Sequence, residues 1–293
     1  MTIISASLVK ELRERTGAGM MECKKALEVS KGDIQLAVDE LRKSGQAKAD
    51  KKAGRIAAEG AIYILNNGKQ AVMIEVNSET DFVARDANFT DFVKAVAETA
   101  LQTKEQDVEK LYTLPMHGAT HTVKEALQHL VAKIGEKVEI RRVVLSDVSA
   151  ATIGTYMHGS RIGVMVELDV DNNELARDVA MHIAASKPLV ISPEAVSKDV
   201  LAKEKEIYTE QAATSGKPPE IVEKMVQGRL KKYMDEVSLT GQPFVKDPDV
   251  TVGSLLSKNR AKVLAFHRFE VGEGIEKIVE DFAEAVMSQV QSN

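Results

Sequence analysis

The sequence predicts an α+β protein: a three-helix headpiece, two related α+β core subdomains, an inserted antiparallel helical hairpin and a C-terminal helix. Three observations carry this prediction. Apolar residues recur at helical spacing in the first part of the chain, one set of strand and helix patterns occurs twice, and two amphipathic helical patterns interrupt its second copy. At 293 residues the chain is long enough for two or three units that each bury a core.

Composition and charge exclude several classes of function. No apolar run approaches the roughly 20 residues of a membrane span, and no basic stretch followed by an apolar one begins the chain, so we expect a cytoplasmic protein. The single cysteine, Cys23, excludes an internal disulfide framework and is expected to be a small buried side chain. Residues 1–55 carry 12 Lys and Arg against 8 Asp and Glu, and the remainder carries 27 against 36. This distribution argues against nucleic-acid binding and permits docking on an acidic protein surface.

The headpiece is predicted as three short helices. Leu8 and Leu12 lie at helical spacing before Thr16–Gly19 breaks the pattern, a second helix follows at 20–30, and a third is predicted at Ile34–Lys43. Residues 45–59 are rich in Ala and Lys and have few large apolar side chains. We interpret them as a linker, with helix as one option, that tethers the headpiece to the body.

The core contains an internal repeat. A strand pattern, a helical pattern and a closing strand pattern occur at residues 71–76, 92–97 and 138–145 in the first copy and at 163–168, 175–180 and 263–269 in the second. The offset between the copies falls from 92 at the first strands to 83 at the helices, so the second copy is nine residues shorter there. The additional residues of the first copy lie at Ser78–Arg85. An element needed for the core would occur in both copies, so an element added to one is expected to be functional.

The main candidate site lies in this added segment. Within Glu75–Arg85 (EVNSETDFVAR) the apolar pair Phe82 and Val83 stands among carboxylates. An apolar tip flanked by negative charge suits a surface that inserts into a partner and disturbs charge there. A structural role for Phe82, as a cap on the local core, remains an equal alternative.

Residues 187–232 interrupt the second copy. Two amphipathic helical patterns joined by a turn at Ser215–Pro219 predict an antiparallel hairpin arm. Its apolar strip either faces a second copy or a partner, or folds back on the body. A last amphipathic helix is predicted at Ile275–Val290. The predicted units are the headpiece with its linker at 1–55, the first core subdomain at 56–145, the second at 146–186 with 233–268, the arm at 187–232 and a C-terminal module at 269–293.

The sequence lacks a recognisable catalytic constellation. His117, His121 and His129 have no carboxylate at ligand spacing, and the acidic residues of Glu75–Arg85 lack the spacing of a calcium loop. There is no catalytic triad, nucleotide-binding fingerprint or paired acid and base, so we predict a protein that acts by binding and is not an enzyme. His158, at a predicted strand end near the loop of the other subdomain, is a candidate contact residue.

Two long segments resemble the translation elongation factor Ts family of the bacterial type, namely Leu12–Leu27 (LRERTGAGMMECKKAL) and Glu75–Arg85. Shorter segments extend the resemblance over essentially the whole chain, at Tyr156–Arg161, Ser238–Phe244 and Phe269–Gly274. The resemblance implies a guanine nucleotide exchange factor for the GTPase EF-Tu, with a UBA-like headpiece and a dimerisation arm that permits a homodimer. It implies no cofactor of its own, because Mg²⁺ and GDP belong to the partner, and no contact with nucleic acid or membrane.

The resemblance also implies which residues contact the partner. Asp81 and Phe82 would wedge between helices of the GTPase and displace the groups that hold Mg²⁺ and the phosphates, which needs no covalent chemistry. The other residues implied to contact EF-Tu are Arg13, Met20, Met21, Lys24, Lys52, Thr80, Val83, Ile134, Gly135, His158 and Val245. The alternative function is a scaffold or adaptor that uses the UBA-like headpiece.

Overall fold

The computed structural model describes residues 4–146, 150–213 and 218–276 and has the mixed α and β composition that the sequence predicts. The predicted helix at Ile275–Val290 lies outside the described residues apart from its first two positions, as does most of the predicted turn at Ser215–Pro219. Within the described ranges, every helix is too short or too polar to cross a membrane.

The secondary structure alternates between helical and strand segments. The helices are α1 (Ala6–Thr16), α2 (Met20–Val29), α3 (Ile34–Lys52), α4 (Asp81–Ala84), α5 (Ala87–Thr103), α6 (Val108–Thr113), α7 (Val123–Ile134), α8 (Asn173–Ser186), α9 (Lys198–Ala213), α10 (Pro219–Val237) and α11 (Val252–Lys258). The strands are β1 (Glu59–Asn66), β2 (Ala71–Ser78), β3 (Val138–Leu145), β4 (Thr152–His158), β5 (Ile162–Leu168), β6 (Pro243–Phe244), β7 (Asp247–Thr251) and β8 (Val263–Glu270).

The first three helices form a small bundle with its own core. Ser5 and Asp33 cap α1 and α3 by accepting hydrogen bonds from backbone N–H groups of the first turn. Gly17 ends α1 in the left-handed conformation, with φ at 67°. The buried side chains of this core are Val9, Leu12, Cys23, Ala26, Leu27 and Ala37, which confirms the expectation for Cys23.

The third helix is longer than predicted. It does not end at Lys43 but continues to Lys52, which confirms the helical option for residues 45–52. Gly45 is the weakest helix former of that stretch, and it lies against α7, where a Cβ atom would come within 3.6 Å of the Ala132 Cβ. Packing on α7 therefore compensates for the low helix propensity of Gly45, and an ion pair between Arg42 and Glu125 joins the same two helices.

The two copies of the sequence repeat form two antiparallel sheets. The strand order is β1-β2-β3 in the first and β4-β5-β8 in the second, so the matching segments β2 and β5 are the central strands. Helix α5 packs on the first sheet and α8 on the second. The predicted closing strands, β3 and β8, are confirmed. The domain bounds remain predictions.

The sheets meet through a buried apolar layer. Its buried side chains are Ile62, Ala71, Met73, Met165, Phe269 and Val271. Gly163 lies at the centre of this contact, where a Cβ atom would come within 2.5 Å of the Ile62 Cγ2 atom. The backbone N–H of Ile62 also donates to the Ser160 carbonyl at 2.8 Å. The apolar layer and this hydrogen bond thereby hold β1 of the first sheet in a fixed position next to the turn between β4 and β5 of the second sheet.

The inserted segment forms a helical hairpin, as predicted, from α9 and α10. The first helix begins later than expected, at Lys198, because a short 3₁₀ turn at Pro193–Ala195 comes first. Arg229 of α10 donates to Gln211 of α9 at 2.9 Å, which fits an antiparallel arrangement. Val200, Ile207 and Ile221 stay 39–46% exposed, so this part of the apolar strip is not covered by the body of the same chain.

Candidate functional site

The added segment Ser78–Arg85, here called the tip segment, leaves the end of a buried strand and forms one helical turn. Every residue of β2 is buried, and the short helix α4 begins three residues after its end. The Thr80 hydroxyl caps this helix by accepting a hydrogen bond from the Val83 N–H at 3.4 Å. The Ser78 hydroxyl donates to the Thr80 carbonyl at 2.9 Å, so that the chain is fixed on both sides of residue 79.

Phe82 and Val83 point in different directions. Phe82 is 83% exposed, the largest exposure of any large apolar side chain in the described residues, so its alternative role as a cap on the local core is wrong. Val83 is only 8% exposed and packs in the core of the first sheet. Val83 therefore anchors α4 and leaves little surface for a partner, and its predicted contact with a partner stays a prediction. The apolar tip consists of Phe82 alone.

Asp81 stands next to Phe82 and carries a partly exposed charge. Its carboxylate accepts a hydrogen bond from Arg85 at 3.0 Å, with the two side chains 48% and 80% exposed respectively. An exposed pair of this kind contributes little to stability and is easily exchanged for another partner. The adjacent Asp86 caps α5, and its hydrogen bonds with Asn88 hold the pKa of its carboxyl below the ordinary range.

The tip segment is joined to the loop after α7 by two carboxylates that act in opposite directions. Glu136 accepts hydrogen bonds from the Thr80 N–H at 3.0 Å and from the Thr80 hydroxyl at 2.8 Å. Glu79 accepts one from the Lys137 N–H at 2.6 Å. Each loop thus provides a carboxylate to the backbone of the other. The sequence analysis did not identify Glu136, and no local pattern at that position distinguishes it from other loop carboxylates.

Several of the predicted contact residues lie beside this junction. Gly135 ends α7 in the left-handed conformation with φ at 85°, and the Lys52 Nζ atom lies 3.7 Å from the place a Cβ on Gly135 would occupy. Ile134 is half-buried against the core of the first sheet. Arg55, just after α3, pairs with Glu79 at 3.2 Å. The structure therefore brings the end of the headpiece, the end of α7 and the tip segment together.

The predicted headpiece contacts are on the surface. Arg13, Met20, Met21 and Lys24 are all exposed, Met20 by 48% and Met21 by 65%. The turn between α1 and α2 lies near Lys133, whose Nζ atom is 3.9 Å from the place of a Cβ on Gly17. Lys133 in turn donates to Asn88, at the start of α5, at 2.6 Å. The exposed methionines therefore follow a turn that adjoins the helix after the tip segment.

His158 and Val245 differ in their relation to the tip segment. His158 is the exposed last residue of β4, and the turn after it is tied to β1 by an ion pair of Arg161 with Glu59 at 2.6 Å. Glu59 is the register partner of Ser78, so His158 lies at the same end of the sheets as the tip segment. Val245 follows β6, which pairs with β7 in a separate two-stranded sheet, and is 44% exposed. Nothing in the described contacts connects Val245 with the tip.

Val245 is instead positioned by a buried histidine. The His182 side chain is 0% exposed, its Nδ1 atom accepts a hydrogen bond from the Val245 N–H at 3.2 Å, and its Nε2 atom lies 2.9 Å from the Gln242 Oε1. Burial lowers the pKa of His182 below its ordinary value. The neutral imidazole that results accepts at one nitrogen and donates at the other, as these two contacts require.

In the described residues, no group of three or more His, Cys, Asp and Glu side chains is arranged to hold a metal ion. What the tip segment does present is a single aromatic ring in solvent, one carboxylate beside it and a rigid base. An aromatic side chain of this kind gains free energy by entering an apolar pocket, and the carboxylate is available to a cation or a hydrogen-bond donor. This arrangement suits insertion into another macromolecule.

Comparison with known proteins gives a match over most of the chain. The family model described as "Elongation factor TS" matches residues 79–273, a range that begins within the tip segment. A curated protein named Elongation factor Ts from Legionella pneumophila (strain Paris) is 55% identical over 294 residues, which covers 100% of both chains. Proteins of the same name from Thioalkalivibrio sulfidiphilus and Aeromonas hydrophila are each 56% identical, over 98% and 99% of this chain and 99% and 98% of their own.

Proposed function

The chain belongs to the elongation factor Ts family and is a translation elongation factor, and on this premise we propose that it is the guanine nucleotide exchange factor of the GTPase EF-Tu. The single observation that carries the proposal is the exposure of Phe82 on a helical turn whose base is fixed. Burying a phenylalanine side chain contributes about 1.5–3 kcal/mol, and this contribution is available only in a complex. Burial of Phe82 thus supplies binding free energy at the proposed insertion site, next to the groups of the GTPase that hold Mg²⁺ and the phosphates.

The proposed mechanism is competition for the nucleotide site. Phe82 enters between helices of the GTPase, and the Asp81 carboxylate approaches the groups that hold Mg²⁺ and the phosphates. GDP is bound by Mg²⁺ and the phosphate-loop amides together, so displacement of either weakens it. By linkage, the nucleotide and the exchange factor weaken each other's binding by the same factor. The protein needs no cofactor and catalyses no covalent reaction; the metal and the nucleotide are those of EF-Tu, in the cytoplasm.

The surface around the tip supports one extended contact. Lys52, Gly135 and His158 lie near the tip segment, and the exposed Met20 and Met21 extend this side of the molecule toward the headpiece. Val245 lies in the turn between β6 and β7 and is assigned a separate contact with another part of the partner. The alternative function, an adaptor built on a UBA-like headpiece, has less support. The headpiece does not stand apart, because α3 packs on α7 along its second half.

Release of a fluorescent GDP analogue from EF-Tu tests the proposal. We expect Phe82→Ala to slow release by about 10- to 100-fold, the factor that corresponds to the lost burial of the ring. Asp81→Ala is expected to slow it as well. Leu189→Ala is the matched control, because Leu189 is also strongly exposed, by 72%, and lies at the base of the arm. Unchanged release with the Phe82 variant, with circular dichroism as for the wild type, would contradict the proposal.

We also propose that the arm forms a homodimer through its exposed apolar strip. Val200, Ile207 and Ile221 are the residues that support this, since apolar side chains at helical spacing are covered when two such hairpins pair. Sedimentation of the wild type and of Ile207→Asp tests it. A dimer that persists in the variant, or a wild type that is monomeric at every concentration, would exclude this surface.

A further inference from the structure

The tip segment needs support from outside itself. Helix α4 has four residues, and a single helical turn is unstable alone because nucleation fixes several dihedral angles for one hydrogen bond. To displace groups in a partner, the Phe82 ring also has to stay fixed relative to the body of the protein while it inserts. Val83 anchors the turn from below, on the core side. The position of the first residue before the turn, Thr80, depends on other contacts.

Those contacts come from Glu136. One carboxylate oxygen accepts from the Thr80 N–H at 3.0 Å and the other from the Thr80 hydroxyl at 2.8 Å. A hydroxyl has one proton to donate, so donation to Glu136 fixes its rotation and leaves its lone pairs for other donors. The Val83 N–H of α4 uses one of these lone pairs, at 3.4 Å. Glu136 therefore orients the cap of the helix that carries Asp81 and Phe82.

The loop that carries Glu136 is itself fixed. Gly135 turns the chain at the end of α7 in a left-handed conformation that a residue with a side chain adopts only with strain. The next residue but one, Lys137, donates its N–H to Glu79 at 2.6 Å. Charge-assisted hydrogen bonds are stronger than neutral ones, and here they cross-link the two loops in both directions. The contact is thus a stiff base rather than a chance surface pair.

We propose that Glu136 is a positioning residue for nucleotide exchange, which holds Thr80 and through it the first turn of α4 in the orientation that drives Phe82 into the partner. This inference rests on the proposed function. Glu136 acts through Thr80 and does not itself touch the nucleotide site. A loosened base lowers the rate at which a bound complex releases GDP more than it lowers the affinity of the complex, because most of the contact surface lies elsewhere.

The test follows GDP release from EF-Tu as a function of the concentration of this protein, which separates the maximal rate from the half-saturating concentration. For Glu136→Ala we expect the maximal rate to fall about tenfold while the half-saturating concentration changes less than about threefold. Glu136→Gln keeps an acceptor for the Thr80 N–H and is expected to restore most of the rate. Thr80→Val removes the hydroxyl, and its effect should not add to that of Glu136→Ala, since both break one connection.

Glu139→Ala is the matched control. It removes the same charge three positions along the chain, where the carboxylate forms an ion pair with the side chain of Lys137 and, among the described contacts, none with the tip segment. The role of Glu136 would be overturned if Glu136→Ala and Glu139→Ala gave equal maximal rates of GDP release while Phe82→Ala, measured under the same conditions, gave a slower one. That result would leave the exchange function intact. If Phe82→Ala is also as fast as the wild type, the exchange mechanism itself fails. Hydrogen exchange at the Thr80 amide supplies the structural readout. We expect this amide to exchange faster than in the wild type in Glu136→Ala and at the wild-type rate in Glu139→Ala.

Discussion

The Glu75 Oε2 atom lies 2.6 Å from the Nε of Arg142, across the register pair that joins β2 to β3. The Glu75 side chain is fully buried, and its other oxygen accepts from Arg141 at 3.1 Å and from the Gly272 N–H at 2.8 Å. Arg142 lies over the Phe269 ring, 4.0 Å from its centroid. One carboxylate therefore connects the first sheet with the end of the second and with the turn after it.

Removal of Glu75 is expected to destabilise the protein strongly. Glu75→Ala leaves two arginines partly buried without their shared partner, and breaking a buried pair in this way costs about 3–5 kcal/mol. Urea unfolding followed by circular dichroism measures the change. Glu139→Ala, which removes a partly exposed carboxylate of β3, is the control and should stay within about 0.5 kcal/mol of the wild type. Similar midpoints for the two variants would show that the Glu75 network contributes no net stability.

Phe82 and Val83 are adjacent, yet their truncation to alanine should affect the stability of the protein very differently. Val83→Ala removes buried methyl groups and is expected to lower the free energy of unfolding by about 1–2 kcal/mol. Phe82→Ala removes a ring that is 83% exposed and should change it by less than about 0.5 kcal/mol. Thermal and urea unfolding of both variants tests this. A larger loss of stability for Phe82→Ala would mean that the ring packs on the body in solution.

The central strands and the helices after them were predictable because their signals are local. Val72 and Ile74 in β2, and Val164 and Val166 in β5, give two apolar runs whose likeness can be read directly from the sequence. The direction of Phe82 was not predictable. In a helix as short as α4, a shift of the first residue by one position changes which side chain faces the core. The first residue is set by the cap at Thr80.

Tertiary contacts explain the features that the sequence did not reveal. Residues 45–52 are rich in the helix formers Ala and Lys, but the sequence did not reveal that they pack on α7 as the end of a long helix. Glu136 is 56 residues from Thr80 in the chain, so no local pattern connects them. The buried network of Glu75 was also missed, although a signal for it exists: a single carboxylate in the apolar run AVMIEV, with two adjacent arginines in VEIRRVVL.

Gly163 marks the closest approach of the two sheets and should not tolerate a side chain. In Gly163→Ala the new Cβ would lie 2.5 Å from the Ile62 Cγ2 and 3.0 Å from the Met73 sulfur, and overpacking of this kind costs about 1–3 kcal/mol. Gly228→Ala is the control, since nothing lies within 4 Å of a Cβ in that helical position, and a gain of about 0.5–1 kcal/mol is expected there. The double variant Ile62→Ala with Gly163→Ala should lose less free energy of unfolding than the sum of the losses in the two single variants. Additive losses would contradict the steric explanation.

The stability of the protein should fall as the pH is lowered through the range in which His182 titrates. Burial lowers the folded-state pKa of His182, so between its ordinary value of about 6.5 and this lower value the unfolded chain binds a proton that the folded protein does not. The contribution of neutral His182 is therefore complete above about pH 6.5 and is lost as the pH falls toward the folded pKa. Protonation of Nδ1 would also break its hydrogen bond with the Val245 N–H.

The measurement compares urea unfolding of the wild type and His182→Gln from pH 7.5 to pH 5. The variant should be less stable at pH 7.5, and the difference should narrow at lower pH by at most about 1.4 kcal/mol per unit. The reason is that only in the wild type does the unfolded chain bind a proton at position 182 that the folded protein does not bind. His129 and His267 also have lowered pKa values through burial, but both proteins contain them and their effects cancel in the difference. His158→Gln, at an exposed strand end, controls for the loss of an imidazole. A difference that is constant over this pH range would mean that the folded-state pKa of His182 is not lowered, so that the folded and unfolded chains bind the proton equally.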